Sequence, residues 1–199
     1  MKHFQIPEPY RNIISTLLII LVAIGISLSI RIFFLQSFSV NGESMQPAYQ
    51  SEDRLLVDKF SYKISSPSRG DVVVIRYPQD PSKMHIKRVI GLPNETVLLE
   101  DGVIKIKKAK SDQAVALDEP YIPLGQRTDP LIENVSEFIL GADEYFVLGD
   151  NRTDSTDSRS YYGNDPKPLY RHFIVGKVFV RLWPLSNITF ASTPQYSLE

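Results

Sequence analysis

Ser44 is the first residue of this chain whose type and setting are suited to nucleophilic chemistry. It lies in "VNGESMQPAYQ", residues 40–50, between Gly42 and Pro47. Glycine and proline favour a backbone turn there, and such a turn presents a hydroxyl outward. An unaided hydroxyl is a poor nucleophile and needs a positioned base. Most loop serines have no catalytic role, so the search for a base decides what Ser44 does.

Lys87, in "HIKRVIG", is one candidate base. A lysine amine with a pKa near 10.4 is protonated at neutral pH, but burial disfavours the charged form. Lowering that pKa by about 2 to 3 costs roughly 3 to 4 kcal/mol of differential solvation, so the site needs apolar walls. We expect some of these apolar walls from "IFFLQSFSV", residues 32–40, which we call the membrane-proximal segment because it follows the apolar run described below. A strand lysine that reaches out to solvent is the commoner alternative, and His85 and His172 remain available for a Ser-His arrangement.

A third segment is rich in alternating charges. "GDNRTDSTDSRSYYG", residues 149–163, places two arginines and three aspartates among serines and threonines. On composition this is a solvated turn. The same residues can also form a cross-linked loop that holds a hydroxyl in place, and composition leaves both interpretations open.

Composition limits the function classes. The 199 residues are 43% hydrophobic and 23% charged, which suffices for one globular domain beside a membrane segment. The 22 Lys and Arg against 23 Asp and Glu give a net charge of -1, which argues against a nucleic-acid partner. Cysteine is absent and there are three scattered histidines, so we expect no metal and no organic cofactor.

An uncharged apolar run predicts a membrane anchor. "NIISTLLIILVAIGISLSI", residues 12–30, is 19 residues without a charge, about 28 Å as a helix and close to the thickness of a hydrocarbon core. A cleaved secretory signal is the alternative, because Ser27-Leu28-Ser29 is a small-x-small triplet. The bulky "IRIFFLQ" that follows and the length of the run favour an uncleaved anchor.

The flanking charges predict its orientation. Lys2 and Arg11 flank the start of the run, whereas only Arg31 follows it closely. This asymmetry favours a cytoplasmic N-terminus and places the remaining chain outside.

The rest of the chain predicts a mainly β fold. Short apolar or alternating runs are punctuated by Gly, Pro, Asn and Asp, and they lie too close together for βαβ crossovers. Asp101-Gly102 is the clearest hairpin turn. Residues 107–137, with three prolines, predict a loop-rich excursion from the core. The predicted strands are Leu55–Val57, Val72–Ile75, Met84–Ile90, Thr96–Leu99, Val103–Ile106, Tyr145–Leu148 and Phe173–Leu182.

Taken together, these segments resemble bacterial type I signal peptidases, the membrane-anchored Ser/Lys proteases, in their single-anchor form. The resemblance lies in an ordered set: one anchor, then "GESMQP", "RGDVVVIRY", "HIKRVIGLPNE" and "GDNRTDSTDSR". Each segment alone is weak, but their order makes chance agreement improbable. The resemblance implies an antiparallel β-sheet catalytic domain after one transmembrane helix.

The resemblance also implies roles for individual residues. Ser44 is then the acylating nucleophile, and its backbone N–H donates to the oxyanion. Neutral Lys87 takes the Ser44 proton, and Ser155 orients the Lys87 amine. Some family members carry a hydroxyl two residues before the nucleophile, where this chain has Gly42. The supporting residues implied in the same way are Gly42, Met45, Pro47, Arg88, Asp150, Asp157 and Arg159.

The chain departs from the family pattern at a few positions. Ala48 replaces the usual Thr, Asn94 the usual Gly, and Thr153-Asp154 the common Asp-Asn pair, and one extra residue precedes Gly163. None of these changes removes a proton-transfer group, so they affect the expected geometry more than the chemistry.

The resemblance implies cleavage of signal peptides from exported preproteins with small residues at −1 and −3. We expect a monomer in the cell membrane, with residues 1–11 cytoplasmic, 12–35 as the anchor and 36–199 extracytoplasmic. Three alternatives stay open: a Ser/His signal peptidase, a self-cleaving Ser/Lys repressor, and an anchored binding or scaffold protein derived from an inactive peptidase.

Overall fold

A long N-terminal helix precedes the β structure. The computed structural model describes residues 8–33, 35–163, 165–194 and 196, and the helix, α1, spans Glu8–Phe33. Its segment Arg11–Leu28 has a mean hydropathy of 2.1, and none of it is buried within the protein. Such a helix is long and apolar enough to cross a bilayer. Leu35, predicted as the end of the anchor, instead begins the first strand. Lys2, one of the charges used to predict the orientation, lies outside the described residues.

The remaining described chain is mainly β, as predicted. All seven predicted strands are confirmed within one residue at each end or as parts of longer strands. The strands are β1 (Leu35–Ser39), β2 (Arg54–Asp58), β3 (Val72–Tyr77), β4 (Asp80–Gly91), β5 (Thr96–Glu100), β6 (Val103–Lys107), β7 (Ala114–Ala116), β8 (Glu137–Ile139), β9 (Glu144–Leu148), β10 (Leu169–Tyr170), β11 (Ile174–Trp183) and β12 (Thr189–Phe190). A short helix α2 (Ser61–Ile64) and 3₁₀ turns at Arg171–Phe173 and Leu185–Asn187 complete the elements.

The strands form two antiparallel sheets. The larger has the order β1-β2-β11-β3-β4-β9-β10, with β12 paired to β11, and the smaller has the order β7-β6-β5-β8. In the larger sheet β4 lies between β3 and β9, with Val73 opposite Lys87 and Leu148 opposite Arg88. Because side chains alternate along a strand, Lys87 and Arg88 project from opposite faces of this central strand.

Three apolar clusters hold the sheets and the turn that carries Ser44. One of them contains Val40, Met45, Tyr49 and Leu55, so the turn is attached to the core on both sides of the serine. Met45 is only 1% exposed, and burying such a side chain contributes about 1.5 to 3 kcal/mol. The turn is therefore a packed element and not a loose loop.

Residues with positive φ explain two local turns. Asp101 and Gly102 have φ of 55° and 82° between β5 and β6, as expected for a tight hairpin turn. Asn94, at the position where the family usually has Gly, has φ of 65°; asparagine tolerates this conformation better than most residues. Within residues 107–137, which are all described, regular structure is limited to the ends and to β7.

Candidate active site

The Ser44 turn is organised by backbone hydrogen bonds. The N–H of Gln46 donates to the Glu43 carbonyl at 3.0 Å, and the N–H of Tyr49 donates to the Met45 carbonyl at 2.9 Å. Gly42 has φ of 101°, a conformation that residues with side chains rarely adopt. Pro47 lies inside the same turn. The result is a half-buried Ser44 at the wall of a pocket.

Lys87 meets this serine from β4. The Lys87 side chain is buried, and its Nζ lies 2.7 Å from Ser44 Oγ and 2.9 Å from the carbonyl oxygen of Ile86. Burial lowers the pKa of Lys87 to about 8; the charges of Asp157 and Asp150 oppose this effect in part. The amine is thus within hydrogen-bond reach of the hydroxyl and in the pKa range of a general base.

The histidines do not take this position. His85 stacks on Tyr77, with ring centroids 4.7 Å apart, and its buried Nδ1 has no hydrogen-bond partner within the described chain. Burial, followed by the nearby charge of Lys87, lowers the pKa of His85 to about 4. His172 packs against Tyr170 and Phe173. His3 lies outside the described residues, so the observed partner of the Ser44 hydroxyl is an amine.

The charged loop 149–163 docks on the Ser44 turn. The Asn151 N–H donates to the Ser44 carbonyl at 3.0 Å, and Asn151 Nδ2 donates to the Glu43 carbonyl at 3.3 Å. A Cβ on Gly149 would collide with both Ser155 Oγ and the Ser44 carbonyl oxygen. Position 149 therefore requires glycine, because any larger residue would push the loop off the turn.

Ser155 lies beside this contact. Its hydroxyl is buried and makes no hydrogen bond within the part of the chain that the structure describes. The Lys87 amine instead donates to Ser44 and Ile86. The hydrogen bond expected between Ser155 and Lys87 is thus not formed here, because the amine is directed at the nucleophile and at a carbonyl of its own strand. The orienting role of Ser155 stays a prediction.

Two buried ion pairs brace the same loop. Arg88 Nε and Nη2 donate to the two Asp150 oxygens at 2.8 and 2.6 Å. Arg159 Nε and Nη2 each donate to Asp157 at 2.9 Å, and Asp157 also accepts the Gly149 N–H at 3.2 Å. Buried charges persist only when paired and hydrogen-bonded. The first pair connects β4 to the loop, and the second lies within the loop.

A third ion pair was missed by the sequence analysis. Arg152 donates to both Glu119 oxygens at 2.9 and 2.6 Å, and Tyr121 places its ring 4.0 Å from the Arg88 guanidinium carbon. Glu119 and Tyr121 belong to the excursion, residues 107–137, whose composition indicates only loop. No local pattern marks them, since their partners lie some 30 residues away in sequence.

A pocket of about 390 Å³ opens beside Ser44 and Lys87. Residues 38–40 of the membrane-proximal segment contribute to it, as the need for apolar walls predicted. Among the described residues, no group of three or more His, Asp or Glu is placed to hold a metal ion. The apolar lining comprises Phe38, Val40, Leu55, Val74, Met84 and Ile86. A serine hydroxyl beside a buried amine at the wall of a pocket is an arrangement suited to acyl transfer.

Most of this chain is similar in sequence to known signal peptidases. Signal peptidase I of Leptolyngbya laminosa is 34% identical over 174 residues, covering 84% of this chain and 78% of that protein. Probable signal peptidase I-2 of Synechocystis sp. is 34% identical over 172 residues, covering 83% of this chain and 71% of its own. Signal peptidase I of Bacillus caldolyticus is 32% identical over 178 residues, covering 85% of this chain and 91% of that protein.

A family match covers most of the chain. The family described as signal peptidase, peptidase S26, matches residues 13–183, from within α1 to the end of β11. This range includes most of α1, the Ser44 turn, Lys87 and the charged loop. The chain belongs to the signal peptidase family, peptidase S26.

Proposed function

We propose that this protein is a serine endopeptidase that removes N-terminal signal peptides from exported preproteins, with Ser44 and Lys87 as its catalytic pair. One observation carries the proposal: in a member of this family, a buried amine of lowered pKa lies 2.7 Å from a half-buried serine hydroxyl. Burying a lysine amine costs solvation free energy, and a binding or scaffold protein has no need of such a group beside a serine hydroxyl.

The geometry supports a two-step acyl transfer. The neutral Lys87 amine takes the Ser44 proton while Oγ forms a bond to the scissile carbonyl carbon. The Ser44 backbone N–H donates to the developing oxyanion, whose stabilisation commonly contributes more to the rate of acyl transfer than any other interaction. When the tetrahedral intermediate collapses, the C–N bond breaks and protonated Lys87 gives its proton to the leaving amine. Water then attacks the acyl-enzyme carbonyl while Lys87 accepts a proton from it. The ester bond to Ser44 Oγ breaks, Lys87 returns the proton to Oγ, and the signal peptide leaves as a carboxylate after its acid loses a proton to water.

The pocket supports selection of the substrate. An extended signal-peptide end is proposed to add as a strand beside the segments around Ser44 and Lys87, so that backbone pairing supplies affinity. Side chains at −1 and −3 share one face of an extended peptide. The pocket beside Ser44 is proposed to receive both of them, and the preference for small residues such as Ala is the one that the family resemblance implies.

The apolar surface supports membrane association of the catalytic domain. Strand β1 begins two residues after α1 ends, so Ser44 is tied closely to the end of the anchor. Large apolar side chains are exposed on β11, on β12 and on the segment between them: Phe179, Trp183, Leu185, Ile188 and Phe190. We place these against the lipid surface, with the N-terminus cytoplasmic, the domain extracytoplasmic and the protein monomeric.

Cleavage of a defined substrate tests the function. Detergent-solubilised protein is mixed with an exported preprotein, and the new N-terminus of the product is identified by mass spectrometry. We expect one cut at the end of the signal peptide, after a small residue. Binding of the preprotein without any cut would contradict the proposal and support the scaffold alternative. A protease-protection assay in sealed vesicles tests the orientation.

The rate of cleavage is expected to rise with pH through the pKa of Lys87, about 8. The unprotonated amine is the reactive form, so kcat/KM falls about tenfold per pH unit below that value. The pKa of His85, about 4, lies well below this range, so His85 does not contribute to the rise. The measurement is kcat/KM for a short peptide substrate between pH 6 and pH 10, a range of about 2 pH units on either side of that pKa.

The His85→Ala variant is the control for this profile. It should retain cleavage and the same rise of kcat/KM around the pKa of Lys87. A profile that shifts or disappears in this variant would favour the Ser/His alternative.

Replacing Trp183 and Phe190 with serine is expected to slow the cleavage of a preprotein embedded in vesicles. Both side chains are exposed, at 49% and 67%. Full burial of a large apolar side chain contributes about 1.5 to 3 kcal/mol, and contact with a lipid surface buries such a side chain only in part. We therefore expect the cleavage rate to fall on the order of tenfold. The measurement is the rate of cleavage in proteoliposomes.

The matched control is the double variant Leu124→Ser and Ile139→Ser. These side chains are also exposed, but they lie on the excursion and on β8, away from β11. The control should cleave the embedded preprotein at the wild-type rate, and both double variants should cleave a short soluble peptide normally. Equal loss in the two double variants would argue against a specific lipid-facing surface.

A further inference from the structure

Arg152 in the charged loop is held by a carboxylate from the excursion. The Arg152 side chain is completely buried, and Glu119 is 11% exposed. Two parallel hydrogen bonds of 2.9 and 2.6 Å join the guanidinium to the carboxylate, and Arg152 Nη1 also donates to Thr128 Oγ1. Such a forked pair fixes the direction of the guanidinium as well as its charge.

Arg152 transmits this hold to the wall of the active site. Its Nε donates to the Gly149 carbonyl at 3.0 Å. Gly149 in turn packs so closely on the Ser44 carbonyl and the Ser155 hydroxyl that no Cβ fits between them. If Arg152 moves, Gly149 is therefore displaced as well. Because Gly149 packs against the Ser44 carbonyl, this displacement changes the position of the nucleophile's backbone.

Tyr121 joins a second arginine to the same carboxylate. Its hydroxyl donates to Glu119 Oε1 at 2.5 Å, and its ring lies 4.0 Å from the Arg88 guanidinium carbon. Arg88 follows Lys87 in β4 and pairs with Asp150 in the loop. Glu119 thus lies where the supports of Lys87 and of the charged loop meet, although it contacts no reacting atom.

We propose that Glu119 is a positioning residue for peptide cleavage, which holds Gly149 through Arg152 and so places Ser44 for the Lys87 amine. This inference rests on the proposed function. Without the carboxylate, Arg152 is a buried charge lacking its partner, a costly state that is relieved by turning the guanidinium toward water. That turn withdraws the hydrogen bond from Gly149 and releases the loop from the Ser44 turn.

The test compares Glu119→Gln with Glu95→Gln. Glu95 forms a buried ion pair with Arg69 at 2.5 Å and is also 11% exposed, but it holds the turn after β4 and does not contact the charged loop. Both variants keep the size of the side chain and remove the carboxylate charge that pairs with a buried arginine. They should therefore lose similar stability in a thermal melt of the full-length protein in detergent.

Steady-state cleavage of a preprotein, normalised to folded protein, separates the two variants. Because small misplacements of a reacting group cost up to about 10²-fold in rate, Glu119→Gln is expected to lose about 10- to 100-fold, mainly in kcat. Glu95→Gln should retain kcat. Equal kcat values in the two variants, or a loss confined to KM, would overturn the positioning role.

Thr128→Val supplies a milder variant of the same support. Valine is close to threonine in shape and removes only the hydroxyl that accepts from Arg152. It should lower kcat in the same direction if Glu119→Gln does not fold, and an unchanged kcat would then overturn the inference. Wild-type protein and Ser44→Ala are assayed in parallel. If neither cleaves the preprotein, the proposed function itself fails. If the wild type cleaves it, the comparison of Glu119→Gln with Glu95→Gln decides the role of Glu119.

Discussion

Replacing Ser44 with alanine is expected to reduce preprotein cleavage by about 10³-fold or more, because loss of a nucleophile removes the covalent step and not just its acceleration. The fold should persist. Ser44 is half-buried, and its turn is held by the backbone bonds of Gln46 and Tyr49 and by buried Met45, none of which uses the hydroxyl. The measurement is the appearance of mature protein, with circular dichroism as the check on folding.

Ser136→Ala is the matched control for this variant. Ser136 is exposed and does not line the pocket. Its removal should leave cleavage close to the wild-type rate. Wild-type cleavage by Ser44→Ala, or equal losses in both variants, would show that the Ser44 hydroxyl is not the nucleophile.

Lys87→Met is expected to lower kcat/KM by about 10²- to 10⁴-fold, the usual contribution of a general base. Methionine keeps an unbranched apolar side chain in the same place but has no group able to take the Ser44 proton. Lys83→Met, on the same strand and 67% exposed, should behave like the wild type. A Lys87→Met variant that cleaves at the wild-type rate would eliminate the Ser/Lys mechanism.

The same variant has an expected effect on stability. The folded-state pKa of Lys87, about 8, lies below the ordinary value of 10.5, so between these two values the unfolded chain holds a proton that the folded chain has lost. Wild-type stability therefore rises with pH across this window, and the gain is absent below it. Lys87→Met lacks the titrating amine, so it should be more stable than the wild type at pH 7, by up to about 3 kcal/mol. Chemical denaturation at pH 7 and pH 10 measures the difference.

The long elements could be predicted from sequence because local patterns specify them. The uncharged run 12–30 predicted the helix α1, and alternating β-branched residues with Gly and Asp turns predicted seven of the longer strands. Strand β1 was missed because its residues continue directly from the anchor. The short strands β7, β8, β10 and β12 were missed, since two or three residues carry no recognisable period. Their existence depends on the edge of a neighbouring strand.

The candidate site divides in the same way. Ser44, Lys87 and the charged loop stand out in the sequence because turn residues, an apolar strand and alternating charges are local features. Glu119 and Tyr121 gave no such signal, and the expected hydrogen bond from Ser155 to Lys87 is not formed among the described residues.

Residue types and order by themselves therefore determined the family resemblance, the β-rich class and the two groups able to exchange a proton. Only the tertiary structure decided that the amine is buried at 2.7 Å from the hydroxyl, and that an acidic residue of the excursion holds an arginine behind the nucleophile. The physical reason is that desolvation and ion pairing depend on which distant segments exclude water from a group. That exclusion exists only once the sheets have packed.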